Sequence, residues 1–159
     1  MRNIVLARVD ERLIHGQVMT SWLKLCAANV IVIIDTASAT NAFLKRILFA
    51  AAPKDIELLV LTEGNAAAYL KEDSPAGEKV LVLTKIPQPM LAMLQNGVAI
   101  KEVILGNMGG APGRKRFNRS ISASPEEIQA FRDILAMNVG VYCQMVPSDS
   151  KEDVKKLLK

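Results

Sequence analysis

Val30-Ile31-Val32-Ile33-Ile34 sets five β-branched residues in succession before Asp35. A strand wetted on one face alternates apolar and polar side chains. This run is apolar throughout, as in a parallel strand covered by helices above and below. Similar runs recur at Ile4-Val5-Leu6-Ala7, Ile56-Glu57-Leu58-Leu59-Val60-Leu61, Val80-Leu81-Val82-Leu83, Val103-Ile104-Leu105 and Val139-Gly140-Val141-Tyr142-Cys143. Helix-period stripes lie between them: Val18, Trp22 and Leu25; Phe43, Ile47 and Ala50; Ile128, Phe131 and Leu135. Ser124-Pro125-Glu126-Glu127 has the form of a capping box with proline at the first helical position. Pro89 opens a helix that Gly97 ends. Asn118–Ser122 reads as a further strand at an edge, and 151–159 as a short terminal helix packed through Val154, Leu157 and Leu158. The pattern predicts one α/β domain over residues 1–159. Its sheet is open, twisted and mostly parallel, with helices on both faces and an antiparallel edge strand.

Composition narrows the function classes. Half of the 159 residues are hydrophobic and 23% are charged, which excludes a disordered chain. No apolar stretch approaches the roughly 20 residues of a membrane span, and Met1-Arg2-Asn3 leads straight into a strand without a secretory pattern. A cytoplasmic protein with no direct membrane insertion is the expectation. Cys26 and Cys143 read as small core residues, with neither disulfide nor metal-ligand spacing. A formal charge of +4 without basic stripes or exposed aromatics gives no reason to expect nucleic acid. The dense basic cluster Arg114-Lys115-Arg116 is either a solvated loop or a face for an acidic protein.

In open α/β sheets ligands bind beyond the carboxyl ends of the strands. Two post-strand loops stand out, Arg8–Gln17 and Gly106–Lys115. The first holds His15, the only histidine in the chain. With no serine elbow, no second histidine and no set of metal ligands, serine hydrolysis, histidine-phosphatase chemistry and a zinc site all fall away. A lone histidine is most often structural, but this one begins a helical stripe, where free N–H groups and the helix dipole favour an anion. Arg8 and Arg12 flank it with guanidinium groups suited to phosphate. Asp10 is placed to hydrogen-bond one imidazole nitrogen and leave the other as nucleophile. Gly16 and Gln17 complete the phosphate-binding positions. These residues predict phosphoryl transfer through a phosphohistidine on His15, without metal or cofactor; a non-catalytic anion- or nucleotide-binding regulatory domain is the other reading. The Gly106–Lys115 loop matches no nucleotide-binding glycine fingerprint. It reads as a mobile surface loop, or as a second wall of the site with Arg114 and Lys115 docking a partner.

Arg8-Val9-Asp10-Glu11-Arg12-Leu13-Ile14-His15-Gly16-Gln17-Val18 resembles the signature of the IIB components of the mannose/fructose/sorbose family of bacterial sugar phosphotransferase systems. Gly97-Val98, Val103–Met108 and Ile121-Ser122-Ala123-Ser124 extend the resemblance over nearly the whole chain. It implies that His15 takes a phosphoryl group at Nδ1 from a IIA protein and passes it to a sugar held by membrane components IIC and IID. It also implies that Asp10 and Arg12 are supporting residues and that association with the membrane is peripheral, through those components. Gly106-Asn107-Met108 looks more like relatives for amino sugars of the galactosamine type than like mannose relatives.

Overall fold

A computed structural model describes residues 1–158, apart from the side chains of Gln17 and Val18. Six parallel strands form the body of one sheet: β1 (Ile4–Asp10), β2 (Val30–Ile34), β3 (Glu57–Leu61), β4 (Val80–Thr84), β5 (Glu102–Asn107) and β8 (Gly140–Cys143). The order is β3-β2-β4-β1-β5-β8, closed by a short antiparallel β9 (Glu152–Asp153). A separate antiparallel pair joins β6 (Lys115–Arg116) to β7 (Ser122–Ala123).

Strand alternation divides the core in two. Val30, Val32 and Ile34 face one cluster, under α4 (Glu63–Lys71), α5 (Pro87–Gln95), α6 (Pro125–Ala136) and α7 (Val154–Leu157). Ile31 and Ile33 face the other, under α1 (Gly16–Cys26) with α2 (Thr36–Ala39) and α3 (Ala42–Ala51). The mostly parallel sheet with helices on both faces is therefore present. So is the capping box: Ser124 Oγ accepts from the Glu127 N–H, and Glu127 accepts from the Ser124 N–H.

Three expectations are corrected, and one helix is added. The antiparallel edge is β9, and Asn118–Ser122 instead turns into the small β6–β7 pair. In α1, Trp22 is buried but its core companions are Met19 and Leu23. Leu25 is exposed, because the core-facing positions count from Met19 at i, i+3 and i+4; Val18's side chain lies outside the described residues. The stripe Phe43–Ile47–Ala50 faces solvent, and α3 packs instead through Leu48. α4, absent from the periodic reading, covers its strands with Ala66, Ala67 and Leu70.

Candidate active site

Along β1, Ala7 and Val9 point to the α4–α6 side, so Leu6, Arg8 and Asp10 point beneath α1. A guanidinium and a carboxylate thus enter the core, and both side chains are 0% exposed. Arg8 Nη1 donates to the Gln144 carbonyl (2.9 Å), and Nη2 donates to the Met145 carbonyl (3.0 Å) and Asp10 Oδ2 (3.2 Å). The Trp22 ring lies 5.0 Å from the guanidinium carbon, and its Nε1 donates to the same Met145 carbonyl. Burial lowers the Arg8 pKa, against the opposing pull of Asp10. Arg8 is fully enclosed, with two carbonyls and a carboxylate as partners.

Asp10 also organises the loop after β1. Its Oδ1 accepts from the Arg12 N–H (3.1 Å) and Nε (3.0 Å), and its Oδ2 from Arg12 Nη2 (2.8 Å). This two-pronged bond raises the Arg12 pKa. The chain then turns through Leu13, whose N–H donates to the Asp10 carbonyl and whose φ is +55°. Left-handed backbone is unfavourable for a branched residue, and the buried Leu13 side chain holds it there. Gly16 follows with φ +36°.

Between these bends His15 is the N-cap residue of α1, in extended backbone, and its side chain makes no cap bond. Nδ1 lies 2.9 Å from the Leu13 carbonyl and so carries the proton, while Nε2 sits 3.8 Å from Asp10 Oδ2. Asp10, Arg12 and His15 come together, but the hydrogen bond expected from the imidazole to Asp10 is not made: at 3.8 Å the carboxylate is too far, and the Leu13 carbonyl takes the ring's bond instead. Gly16 provides the bend beside them, and the Gln17 side chain lies outside the described residues. Arg8 departs from its expected place: it braces Asp10 from below instead of opening onto solvent.

The second loop is tied to the first. Glu11 Oε1 accepts from the Gly109 N–H (2.8 Å), and Arg114 Nη1 donates to Glu11 Oε2 (3.1 Å) and the Gly109 carbonyl (2.8 Å). Arg114 Nε and Nη2 bond both oxygens of Glu127 at 2.9 and 2.8 Å. Arg114 is therefore matched by two carboxylates and is no free rim charge, whereas Lys115 is exposed. Sequence reasoning also missed Gly106. Its Cα lies so close to Arg8 and Asp10 that a methyl group would overlap the guanidinium and the carboxylate. The available signal was register: Ile104, two residues earlier on the same face, pairs with Arg8.

Burial alone would push the Glu127 carboxyl up, but Arg114 and the Ser124 N–H outweigh it and hold the group below its ordinary range. Stability from this bridge is complete above the ordinary Glu pKa of about 4.3 and is lost as pH falls through the lowered value. Glu127→Gln is expected to lower Tm at neutral pH and to flatten the acid limb of the Tm profile. An acid limb identical to the parent's would show that the bridge contributes nothing there.

Neither cysteine joins the site. Burial, aided by Glu152, pushes the Cys143 thiol up to about 12, and burial likewise raises Cys26. Asp35 caps α2, accepting from the Ser38 N–H and Oγ, with Lys85 3.4 Å away.

Fold and site together define an α/β protein that presents a histidine, with a buried carboxylate 3.8 Å from its ring, at the carboxyl end of its central strand. The family model described as "PTS system sorbose subfamily IIB component" matches residues 4–159. The fructose-specific EIIB component of Bacillus subtilis (strain 168) is 30% identical, covering 100% of this chain and 98% of its own. The N-acetylgalactosamine-specific enzyme IIB component 2 of Escherichia coli (strain K12) is also 30% identical, covering 99% and 100%. The crystal structure of the IIBSor domain of the Klebsiella pneumoniae sorbose permease superimposes with a TM-score of 0.92 at 32% identity, covering 98% of this chain and 96% of that one. The chain belongs to the sorbose-type IIB family of sugar phosphotransferase systems. It is a phosphocarrier component of sugar uptake, and the non-catalytic regulatory reading finds no support. Equal identity to the fructose and N-acetylgalactosamine components singles out no sugar.

Proposed function

We propose that His15 carries the phosphoryl group, taking it from the phosphohistidine of a IIA protein and passing it to a sugar held by membrane components IIC and IID. The supporting observation is Asp10: one buried carboxylate gathers Arg12 and the His15 ring at the first turn of α1. Arg8 and Arg12 outnumber Asp10 by one positive charge, which suits an incoming phosphoryl group. Attack from Nδ1 needs the tautomer protonated at Nε2, the nitrogen that faces Asp10. The Nδ1 lone pair then opposes the Leu13 carbonyl oxygen, and that repulsion turns the ring outward. As Nδ1 bonds to phosphorus, the donor's N–P bond breaks and the donor imidazole keeps the released pair. One N–P bond replaces another, so transfer runs in both directions. In this reading Arg8 holds Asp10, Arg12 clamps phosphoryl oxygens, and Gly16 and Gln17 line the anion's seat. Lys115 is the exposed cation for an acidic donor, on a rim that Arg114 shapes through Glu11.

Incubation with phosphoenolpyruvate, the general phosphotransferase proteins and a IIA donor tests the proposal. Intact mass should show one acid-labile phosphoryl group, and 15N NMR should place it on Nδ1 of His15. No label, or label on another residue, overturns it. Arg12→Ala is expected to raise the transfer barrier by roughly 2–4 kcal/mol, as for a single donor at a charged transition state. Transfer then slows about 30- to 1,000-fold with the fold intact. Rapid-quench transfer at the parent rate would remove Arg12 from the clamp.

A further inference from the structure

Among the described helices of eight or more residues, α3 alone buries no side chain. Asn41 caps it firmly, accepting from the Phe43 and Leu44 N–H groups, so it is a formed helix that stands proud of the body. Its outward stripe has the composition of a core: Phe43 is 66% exposed and Ile47 50%, with Phe49 and Leu44 open beside them. Lone exposed apolar residues are ordinary, whereas four on ten residues of helix mark a contact surface. The charges within the segment itself are all of one sign. No acidic residue occurs between Asp35 and Asp55, and the segment carries Lys45, Arg46 and Lys54. None of these three cations is ion-paired among the described residues.

We infer that α3 seats the protein on an anionic lipid surface, with Phe43 and Ile47 in the headgroup–acyl boundary and Arg46 and Lys45 among the phosphates. A short basic helix with protruding aromatic and aliphatic side chains is suited to a fluid plane, which needs no matching pocket. A second copy of the chain is disfavoured, since two-fold pairing of α3 would set cations against cations with no acid in the segment. The seat is continuous with the His15 loop: Ala51 and Pro53, at the end of α3, face Ile14, Gly16, Met19 and Thr20 across a cleft of about 420 Å³. Seating α3 therefore brings the His15 loop toward the membrane surface. The contact is shallow and spans nothing, and it adds direct lipid contact to the expected association through transporter components.

The test is sedimentation of the purified chain with vesicles of phosphatidylcholine containing phosphatidylglycerol, against phosphatidylcholine alone. Weak, salt-sensitive binding to the anionic vesicles is expected. Arg46→Glu should weaken it roughly 30-fold, at about 1 kcal/mol per charge. The double substitution Phe43→Ser, Ile47→Ser should weaken it by at least about tenfold, with an unchanged circular dichroism spectrum. Equal partition to both vesicles, or anionic binding that the double substitution does not weaken, overturns the inference. So does concentration-dependent dimerisation that the substitution abolishes, which would assign the stripe to a second copy. Slower transfer from a soluble donor in the double variant would assign it to a protein partner and overturn it as well. Because binding is read on unphosphorylated protein, its failure leaves the His15 proposal standing, and the reverse holds too.

Discussion

Asp10→Ala is expected to lower stability by about 3–5 kcal/mol, the usual cost of stripping one partner from a buried ion pair. For a chain of this size that corresponds to a fall in Tm of roughly 6–20 °C. Arg8 would keep two carbonyl partners and lose its carboxylate partner, with its side chain 0% exposed. The Arg12 side chain and N–H would lose their carboxylate acceptor in the same step, leaving Nη2 with the Met145 sulfur. Adding Arg8→Met should restore part of the loss, because it removes the stranded charge while keeping apolar volume beneath Trp22. Thermal or urea unfolding of the two variants reports both effects. A single variant within about 1 kcal/mol of the parent, or a double variant less stable than the single one, would refute the buried-pair account.

His15→Gln is expected to have the opposite profile: full loss of function and little loss of fold. The ring's hydrogen bond is to the Leu13 carbonyl, and the Asp10 carboxylate lies beyond hydrogen-bond distance at 3.8 Å. Glutamine can still donate to Leu13 but offers no nucleophilic nitrogen. Acid-labile labelling and sugar phosphorylation should vanish together, by more than about 10⁴-fold, as when a covalent nucleophile is removed. Tm should move by only a few degrees. Labelling that survives the substitution would place the phosphoryl group elsewhere in the chain.

The strands were legible because interior strands of a parallel sheet are apolar on both faces, so short runs such as Val30–Ile34 announce themselves. Apolar patterning nonetheless ends β1 at Ala7, three residues early. Arg8 and Asp10 look like loop residues until their partners are known, and Gln144 and Met145 lie at the far end of the chain. Periodicity shows which side chains share a helix face, not whether anything covers that face. Phe43, Ile47 and Ala50 do form one stripe, but it looks outward. The same gap explains the second loop. Arg114 reads as a solvated cation because Glu11 and Glu127, which neutralise it, are distant in sequence. His15, Asp10 and Arg12 were legible because their contacts are made within six residues, where spacing along a strand end and a first helical turn suffices.

The reach of Arg8 has a consequence for biosynthesis. β1 is early in chain order, yet its sheet neighbours are β4 and β5, and the carbonyls that receive Arg8 lie 136 and 137 residues downstream. Such distant closures form late, after helices and near neighbours have settled. The brace beneath the His15 loop is thus complete only when the far end of the chain is in place, although the loop's own residues are among the first to leave the ribosome. A chain stopped short of Gln144 carries His15 but lacks the carbonyls that lock Arg8 beneath Asp10. On the role proposed for His15, chains truncated before Gln144 are expected to take no phosphoryl group from the donor, and labelling of such a chain at the parent rate would show that the Arg8 brace is dispensable.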